Sequence, residues 1–218
     1  MIVDELNQAL GRVIPGAYLE AITLPEVPPL QLYLLNANYP QQNLDAEAVA
    51  FIMNNPLYWV FCWASGQVLA RLILREPERV KGRRVVDFGS GSGVVAIAAA
   101  MAGASEVIAC DTDPVALAAC EANAALNQVT LALSDDFSVI DGDVDVITAA
   151  DVLYDRANLP WLSLFSERAT SVLMADSRMP DFELRPYELI ARRTSSTWPD
   201  LDESQTFRQV RVYQVGAL

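Results

Sequence analysis

The second half of the chain alternates between short β-branched runs and alanine-rich segments with helical periodicity. The β-branched runs predict strands at residues 84–88, 105–110, 128–133, 144–149, 170–175, 187–195 and 206–214. Helices are predicted at residues 93–102, 113–126 and 157–168. Strands that alternate with helices and end in two close strands are typical of doubly wound α/β proteins. The pattern predicts a seven-stranded, mostly parallel Rossmann-like sheet with a C-terminal antiparallel hairpin.

The first part of the chain has a less regular pattern. Helices are predicted at residues 4–13, 45–54 and 65–75, and a strand at residues 30–35. The prolines within residues 24–29 favour an extended path between the first of these elements. We expect residues 1–55 to be an N-terminal extension that packs on a core formed by residues 56–218, giving one globular domain of ordinary size.

Charge and composition restrict the classes of partner. The 28 acidic and 15 basic residues give a net charge of −13. Nucleic acid is therefore not an expected partner, because its phosphates would be repelled. A basic protein surface or a cationic ligand would be attracted, although acidic surfaces also serve solubility alone.

The chain contains no histidine, which excludes Ser-His-Asp, Cys-His and histidine–metal chemistry. Its three cysteines have no metal-binding spacing, so no metal site is expected. Their apolar surroundings favour a reducing compartment. Residues 48–70 and 88–105 lack charge but are interrupted by polar residues, glycine and proline, and the start of the chain has no export signal. We therefore expect a cytoplasmic protein with no membrane partner.

A glycine-rich loop follows the first strand of the predicted sheet. Gly89, Gly91 and Gly93 allow a sharp turn and close approach of a ligand before the next helix. The third glycine comes one residue too early for a dinucleotide fingerprint. Asp87 precedes the loop, where its carboxylate would repel a pyrophosphate but attract a cofactor with net positive charge. These residues, with Ser90, indicate S-adenosylmethionine, whose carboxylate the loop amides can bind.

Further acidic residues follow the next strands. Asp111 lies 20 residues after Gly91, where an acid is expected to bind ribose hydroxyls. Asp113 before Pro114 is a predicted helix N-cap. Asp135 or its neighbour Asp136 could accept a hydrogen bond from the adenine amino group, or could be a solvated loop acid.

Asp151 and Tyr154 follow the fourth strand of the predicted sheet, at the carboxyl edge where ligands bind in such folds. Both side chains are expected to point toward the reacting methyl group. The alternative is that Asp151 caps the following helix and Tyr154 packs. Trp59, Phe61 and Trp63 have two interpretations as well, either core residues or an aromatic cage for a cation.

With these segments taken together, residues 24–218 resemble the seven-β-strand (class I) S-adenosylmethionine-dependent methyltransferases. Within them, the chain is similar to the lysine methyltransferases related to the one acting on the electron transfer flavoprotein β-subunit. The segments that carry the resemblance are residues 58–67, 87–93, 109–114 and 151–155. Ala64-Ser65 and Asp176-Ser177-Arg178 depart from the family pattern.

The resemblance implies a protein-lysine N-methyltransferase. It implies that Asp87, Gly89, Gly91, Asp111 and Asp135 contact the cofactor, that Trp63 walls its pocket, and that Asp151 and Tyr154 shape a substrate channel. The implied partner is a protein substrate, possibly the electron transfer flavoprotein β-subunit.

Several competing functions stay open. These are a small-molecule N- or O-methyltransferase, a methyltransferase of another protein such as a ribosomal protein, a non-catalytic nucleoside-binding protein, and an NAD-dependent oxidoreductase. Asp151-Val152-Leu153-Tyr154 differs from the Asn-Pro-Pro-Tyr motif of amide and base methyltransferases, which disfavours those two acceptors.

Overall fold

The computed structural model describes residues 2–39, 57–179, 183–201 and 203–216. The helices of this part are α1 (Ile2–Val13), α2 (Ala64–Arg75), α3 (Val94–Met101), α4 (Pro114–Leu126) and α5 (Trp161–Arg168). The strands are β1 (Leu19–Thr23), β2 (Gln31–Leu35), β3 (Arg84–Phe88), β4 (Glu106–Cys110), β5 (Ala132–Ser134), β6 (Val144–Ala150), β7 (Ala169–Asp176), β8 (Glu188–Thr194) and β9 (Gln209–Val215).

Seven strands form the main sheet in the order β5-β4-β3-β6-β7-β9-β8. Neighbours from β5 to β7 are parallel, whereas β9 is antiparallel to both β7 and β8. The predicted mostly parallel sheet with an antiparallel C-terminal hairpin is confirmed. The chain order reverses beside β3, which has β4 on one side and β6 on the other. In open α/β sheets, ligands bind in the crevice at the carboxyl ends of such strands.

Both faces of the sheet are covered by buried side chains. Each strand contributes to both faces, because successive strand residues point to opposite sides. Val85 of β3 belongs to the cluster formed with α2, α3 and α4, whereas Val86 belongs to the cluster that contains Phe165 of α5. Val146 and Ile147 of β6 divide in the same way. Such two-sided burial explains why the middle of each strand has consecutive apolar residues, Val85-Val86 and Val146-Ile147, rather than an alternating pattern.

The N-terminal elements pack on α4. Apolar residues of α1 share a buried cluster with the alanines of α4, and β1 and β2 form a separate antiparallel pair. Asn123 of α4 accepts a hydrogen bond from the Tyr33 amide at 2.7 Å, and Asn127 accepts one from the Gln31 amide at 3.0 Å. None of the helices in the described ranges combines the length and apolar character needed to cross a bilayer.

Some predicted boundaries were wrong. The strand expected at 128–133 is only Ala132–Ser134, because Gln128 adopts a left-handed conformation with φ 58° and the Val129 amide still bonds to Ala124 of the helix. Strand β1 was not predicted. Helix α5 begins at Trp161 rather than 157, after a separate 3₁₀ turn. The helix predicted at 45–54 lies outside the described residues.

Candidate functional site

A cavity of about 770 Å³ opens at the carboxyl ends of β3, β4, β5 and β6. Every site residue predicted from the sequence lies on its wall: Trp63, Asp87, Gly89, Ser90, Gly91, Asp111, Asp135, Asp151 and Tyr154. The parallel strands cause this convergence, since their carboxyl ends share one edge of the sheet.

The glycine loop turns through three residues with positive φ, Gly89 at 67°, Gly91 at 52° and Gly93 at 78°. A Cβ at Gly91 would meet no atom within 4 Å, so this backbone faces open space in which a ligand could lie. A Cβ at Gly93 would lie 3.1 Å from Cys120 Sγ. The loop therefore exposes backbone at Gly91, while Gly93 lets it pack closely on α4.

Asp87 is buried at the bottom of the loop and is 2% exposed. Its Oδ1 accepts a hydrogen bond from Thr148 Oγ1 at 2.7 Å, and its Oδ2 accepts one from the Ala96 amide at 3.2 Å. Burial raises the pKa of Asp87 to about 7, against the opposing effect of these donors. No basic side chain pairs with this carboxylate among the described contacts, which leaves it available to a cationic group.

Asp111 lies directly after β4, and its side chain connects the glycine loop to the start of α4. Its Oδ2 accepts a hydrogen bond from the Gly91 amide at 2.9 Å, and its Oδ1 accepts one from the Asp113 amide at 3.0 Å. Burial raises its pKa. Asp113 is the N-cap of α4, as predicted, because its side chain accepts a hydrogen bond from the Val115 amide at 2.8 Å.

Two exposed acidic residues, Asp135 and Asp136, follow β5 and line the other end of the cavity. Asp136 is engaged locally, since its Oδ1 accepts a hydrogen bond from the Ser138 amide at 2.7 Å, which lowers its pKa. The cavity near them has apolar walls, where Phe88 contacts Phe137 and Trp161 at ring-centroid distances of 5.5 and 4.8 Å. None of these three residues was predicted to line the site, although Phe88 lies in a predicted strand and Trp161 in a predicted helix.

Asp151 has left-handed backbone geometry, with φ 53°. It precedes a 3₁₀ turn, but its side chain does not cap that turn. Instead, Oδ1 accepts hydrogen bonds from Ser65 Oγ at 2.7 Å, Ser177 Oγ at 2.8 Å and the Ser177 amide at 2.8 Å. Its Oδ2 accepts one longer bond of 3.3 Å from the Ser65 amide. Two serines from α2 and the end of β7 therefore fix this carboxylate.

An aromatic wall of Tyr58, Trp63 and Tyr154 lines the cavity beside Asp151. Tyr58 contacts Trp63 at 5.8 Å and Tyr154 at 5.2 Å between ring centroids, and the Trp63 indole donates a hydrogen bond to the Tyr58 carbonyl. Tyr154 is 56% exposed, so the wall extends to the surface. Trp59 is 2% exposed and belongs to the core, which separates it from the cavity residues.

A segment between β8 and β9 closes one side of the cavity. Trp198 forms an antiparallel bridge with Cys62, and Gln67 donates a hydrogen bond to the Ser196 carbonyl at 2.7 Å. Glu203 of this segment lines the cavity together with Arg178, which follows β7. This segment was not predicted to reach the site, because no local motif marks it.

The residues present fit S-adenosylmethionine. Asp87 offers a buried carboxylate for its cationic groups, Gly91 offers accessible backbone, and Asp111 stands after β4 for a ribose diol. The aromatic residues Phe88 and Phe137 provide an apolar surface for adenine.

Comparisons with known proteins agree with this site. Residues 70–156 match the family model described as ribosomal protein L11 methyltransferase (PrmA). The electron transfer flavoprotein beta subunit lysine methyltransferase of Rattus norvegicus is 36% identical over 133 residues, which cover 57% of this chain and 52% of that protein. The chain thus spans about half the length of the curated relatives that it matches.

Solved structures show the same fold. A putative RNA methyltransferase from Pyrococcus horikoshii matches with a TM-score of 0.54 and 20% identity, covering 70% of this chain and 83% of that one. The magnesium protoporphyrin IX methyltransferase of Synechocystis, with bound S-adenosylmethionine, matches with a TM-score of 0.52 and 16% identity, covering 70% and 79%. These structures show that the chain has the fold of methyltransferases, and part of its sequence is similar to the ribosomal protein L11 and electron transfer flavoprotein beta subunit lysine methyltransferases.

Proposed function

We propose that this protein transfers the methyl group of S-adenosylmethionine to a lysine side chain of a protein, with the electron transfer flavoprotein β-subunit as the first candidate acceptor. The observation that carries the proposal is the shared cavity, in which the residues suited to the cofactor adjoin an acidic and aromatic wall. The rat relative, whose name states this acceptor, supports the choice of substrate.

In the proposed complex, the cofactor residues act through charge and backbone. Asp87 binds cationic groups of the cofactor, and the amides of the loop bearing Gly89, Ser90 and Gly91 bind its carboxylate. Asp111 binds the ribose hydroxyls. Asp135 accepts from the adenine amino group, a role that suits it better than Asp136, which is engaged with Ser138. Trp63 walls the pocket.

The acceptor is oriented by Asp151 and Tyr154. Oδ1 of Asp151 already has three donors, whereas Oδ2 has only one long bond and can accept from an incoming ammonium group. Tyr154 and Trp63 line the approach and exclude water. The bound cofactor supplies an electrophilic methyl group for in-line displacement. A lysine, with a reference pKa of about 10.4, first loses its proton to water, and the apolar aromatic surroundings favour its neutral form.

A second candidate acceptor is a ribosomal protein. The match of residues 70–156 to the ribosomal protein L11 methyltransferase model favours it. A small-molecule acceptor is a weaker candidate, because the aromatic wall reaches the surface at Tyr154 and can be approached by a folded protein.

The test is incubation of the purified protein with methyl-labelled S-adenosylmethionine and, in separate reactions, purified electron transfer flavoprotein β-subunit and ribosomal protein L11. We expect label on lysine of the β-subunit, located by peptide mass spectrometry. Asp111→Ala is the control that should lose cofactor binding and labelling together. Label on L11 alone would make L11 the acceptor in place of the β-subunit. Label on neither protein would contradict the proposed substrate.

We also propose that residues 56–218 carry the transfer activity and that residues 1–55 are an extension packed on them. Contacts of α1 and β2 with α4 support this division, because none of the described residues of these three elements lines the cavity. Cytoplasmic location is proposed because Cys62, Cys110 and Cys120 are all buried free thiols, which is typical of reducing compartments.

A further inference from the structure

Arg178 holds an unusual position for a basic residue in this acidic cavity. Its guanidinium carbon lies 5.2 Å from the centroid of the Trp63 ring and 4.5 Å from that of the Phe207 ring. Its Nη2 donates to Glu203 Oε1 at 2.5 Å. The side chains of Arg178 and Glu203 are only 20% and 11% exposed. The guanidinium therefore lies between two aromatic rings and a carboxylate.

The groups around this guanidinium are held by other contacts. Thr197 Oγ1 donates to the second oxygen of Glu203 at 2.5 Å, and the Trp63 indole donates to the Tyr58 carbonyl at 3.0 Å. If Arg178 moved away, these contacts would keep a nearly buried carboxylate and the face of Trp63 in place beside Phe207. Together they form a binding site for a cation, because both aromatic faces and carboxylates attract one.

The charge of the cavity determines what can replace Arg178. The acidic residues on the described wall are Asp87, Asp111, Asp135, Asp136, Asp151 and Glu203, and Arg178 is the basic residue on that wall. A neutral group in its place would leave Glu203 buried without a counter-charge, which is costly. A second cation would restore the pairing.

We propose that Glu203, Trp63 and Phe207 form a subsite for a basic side chain of the acceptor protein, and that Arg178 occupies this subsite until the acceptor displaces it. The inference rests on the proposed function, in which the acceptor is a protein. The bound side chain is a neighbour of the methylated lysine, not that lysine itself. Asp151 already shares its charge among four hydrogen bonds, whereas the Glu203 carboxylate accepts only from Thr197 and Arg178 among the described contacts. A lysine at Glu203 would therefore hold its proton more tightly than one at Asp151 and would be the poorer nucleophile.

The subsite would thus select acceptors with two basic residues close together, one beside Asp151 and one beside Glu203. The exchange replaces one cation by another, so the net charge of the cavity does not change. Arg178 is consequently a specificity-determining residue and not a catalytic one.

The experiment measures cation binding at Trp63 directly and needs no protein acceptor. The chain has four tryptophans, so ¹⁵N-labelled indole groups give four NMR signals, and Trp63→Phe identifies the signal of Trp63. n-Propylguanidinium, which reproduces the end of an arginine side chain, is titrated into the wild type and into Arg178→Ala. n-Butanol is the neutral probe, and Arg75→Ala, at an exposed position on α2, is the matched control variant.

We expect millimolar n-propylguanidinium to shift the Trp63 signal in Arg178→Ala, and at least a ten-fold higher concentration to be needed in the wild type and in Arg75→Ala. The double variant Arg178→Ala/Glu203→Gln should lose the response. Arg178→Gln, which keeps a polar side chain, provides a second emptied subsite if the alanine variant does not give a folded spectrum.

Absence of a shift in both emptied variants would overturn the proposal, as would an equal response to n-butanol or a response that persists after Glu203→Gln. A ten-fold loss of S-adenosylmethionine affinity in a folded Arg178→Ala protein would also overturn it, by assigning Arg178 to the cofactor. Failure of the proposed function is a separate result, seen as missing label on protein lysine while the guanidinium response is intact.

Discussion

Replacing Asp87 by asparagine tests how the buried carboxylate of the cofactor loop affects stability. Asp87 is nearly inaccessible, and its pKa of about 7 lies well above the ordinary value of about 3.9 for aspartate. At pH values between these two pKa values, Asp87 is therefore protonated in the folded state but ionised in the unfolded chain. The stability that the neutral Asp87 carboxyl contributes to the folded state is fully present below about pH 4 and is lost as the pH rises through about 7.

The size of the effect follows from the gap between the two pKa values. At about 1.36 kcal/mol per pKa unit, a gap of about 3 units amounts to roughly 4 kcal/mol of unfolding free energy. Roughly 2 to 3 kcal/mol of this is lost between pH 5 and pH 8. In Asp87→Asn the group cannot ionise, so this part of the decline should disappear.

The assay is urea unfolding of the cofactor-free wild type, Asp87→Asn and Asp141→Asn at pH 5 and pH 8. Asp141 is exposed and serves as the control that should follow the wild type. We expect the decline in unfolding free energy from pH 5 to pH 8 to be about 2 to 3 kcal/mol smaller in Asp87→Asn. The same variant should bind S-adenosylmethionine more weakly at pH 8. An equal decline in all three proteins would refute the reasoning.

Three further substitutions test other parts of the site. Asp151→Ala should lower turnover about 100-fold and change cofactor affinity less than about two-fold, because it misplaces the acceptor; calorimetry showing lost cofactor binding instead would contradict its role. Gly93→Ala should lower the unfolding free energy by more than about 2 kcal/mol, since the added methyl group would meet Cys120. Gly91→Ala has free space around the added methyl group, so it should cost about 1 kcal/mol of backbone strain and mainly weaken cofactor binding. Equal thermal stability of the two glycine variants would argue against this difference. Asp113→Ala should cost about 1 kcal/mol through loss of the α4 cap, and an unchanged melting temperature would show that the cap is not needed.

The sequence predicted the sheet well where both faces of a strand are buried. Strand β3 was predicted at its observed bounds, because continuous β-branched runs and the glycine loop mark both of its ends. Strand β5 was misplaced because the left-handed conformation of Gln128 depends on how α4 ends, which a side-chain pattern does not reveal. The sequence also could not predict that β9 lies between β7 and β8. The β7–β9 pair joins strands that are not consecutive in the chain.

The site was predictable where residues follow strands in a fixed relation to the glycine loop, as Asp87 and Asp111 do. Their partners were less accessible to such reasoning. Thr148 interrupts an apolar strand, and this polar residue was the available signal that β6 contacts Asp87. Ser65 and Ser177 are 112 residues apart in the numbering of the chain, and only the fold brings both to Asp151.

The segment between β8 and β9 has an evolutionary consequence. It reaches the cavity from the edge of the sheet opposite β4 and β5, and Trp198 fastens it to Cys62 through two backbone hydrogen bonds of 2.8 Å. Insertions or substitutions beyond that attachment point could reshape acceptor preference without disturbing the strands that carry Asp87 and Asp111. A lineage could therefore acquire new substrates by remodelling this connection while inheriting its cofactor chemistry unchanged.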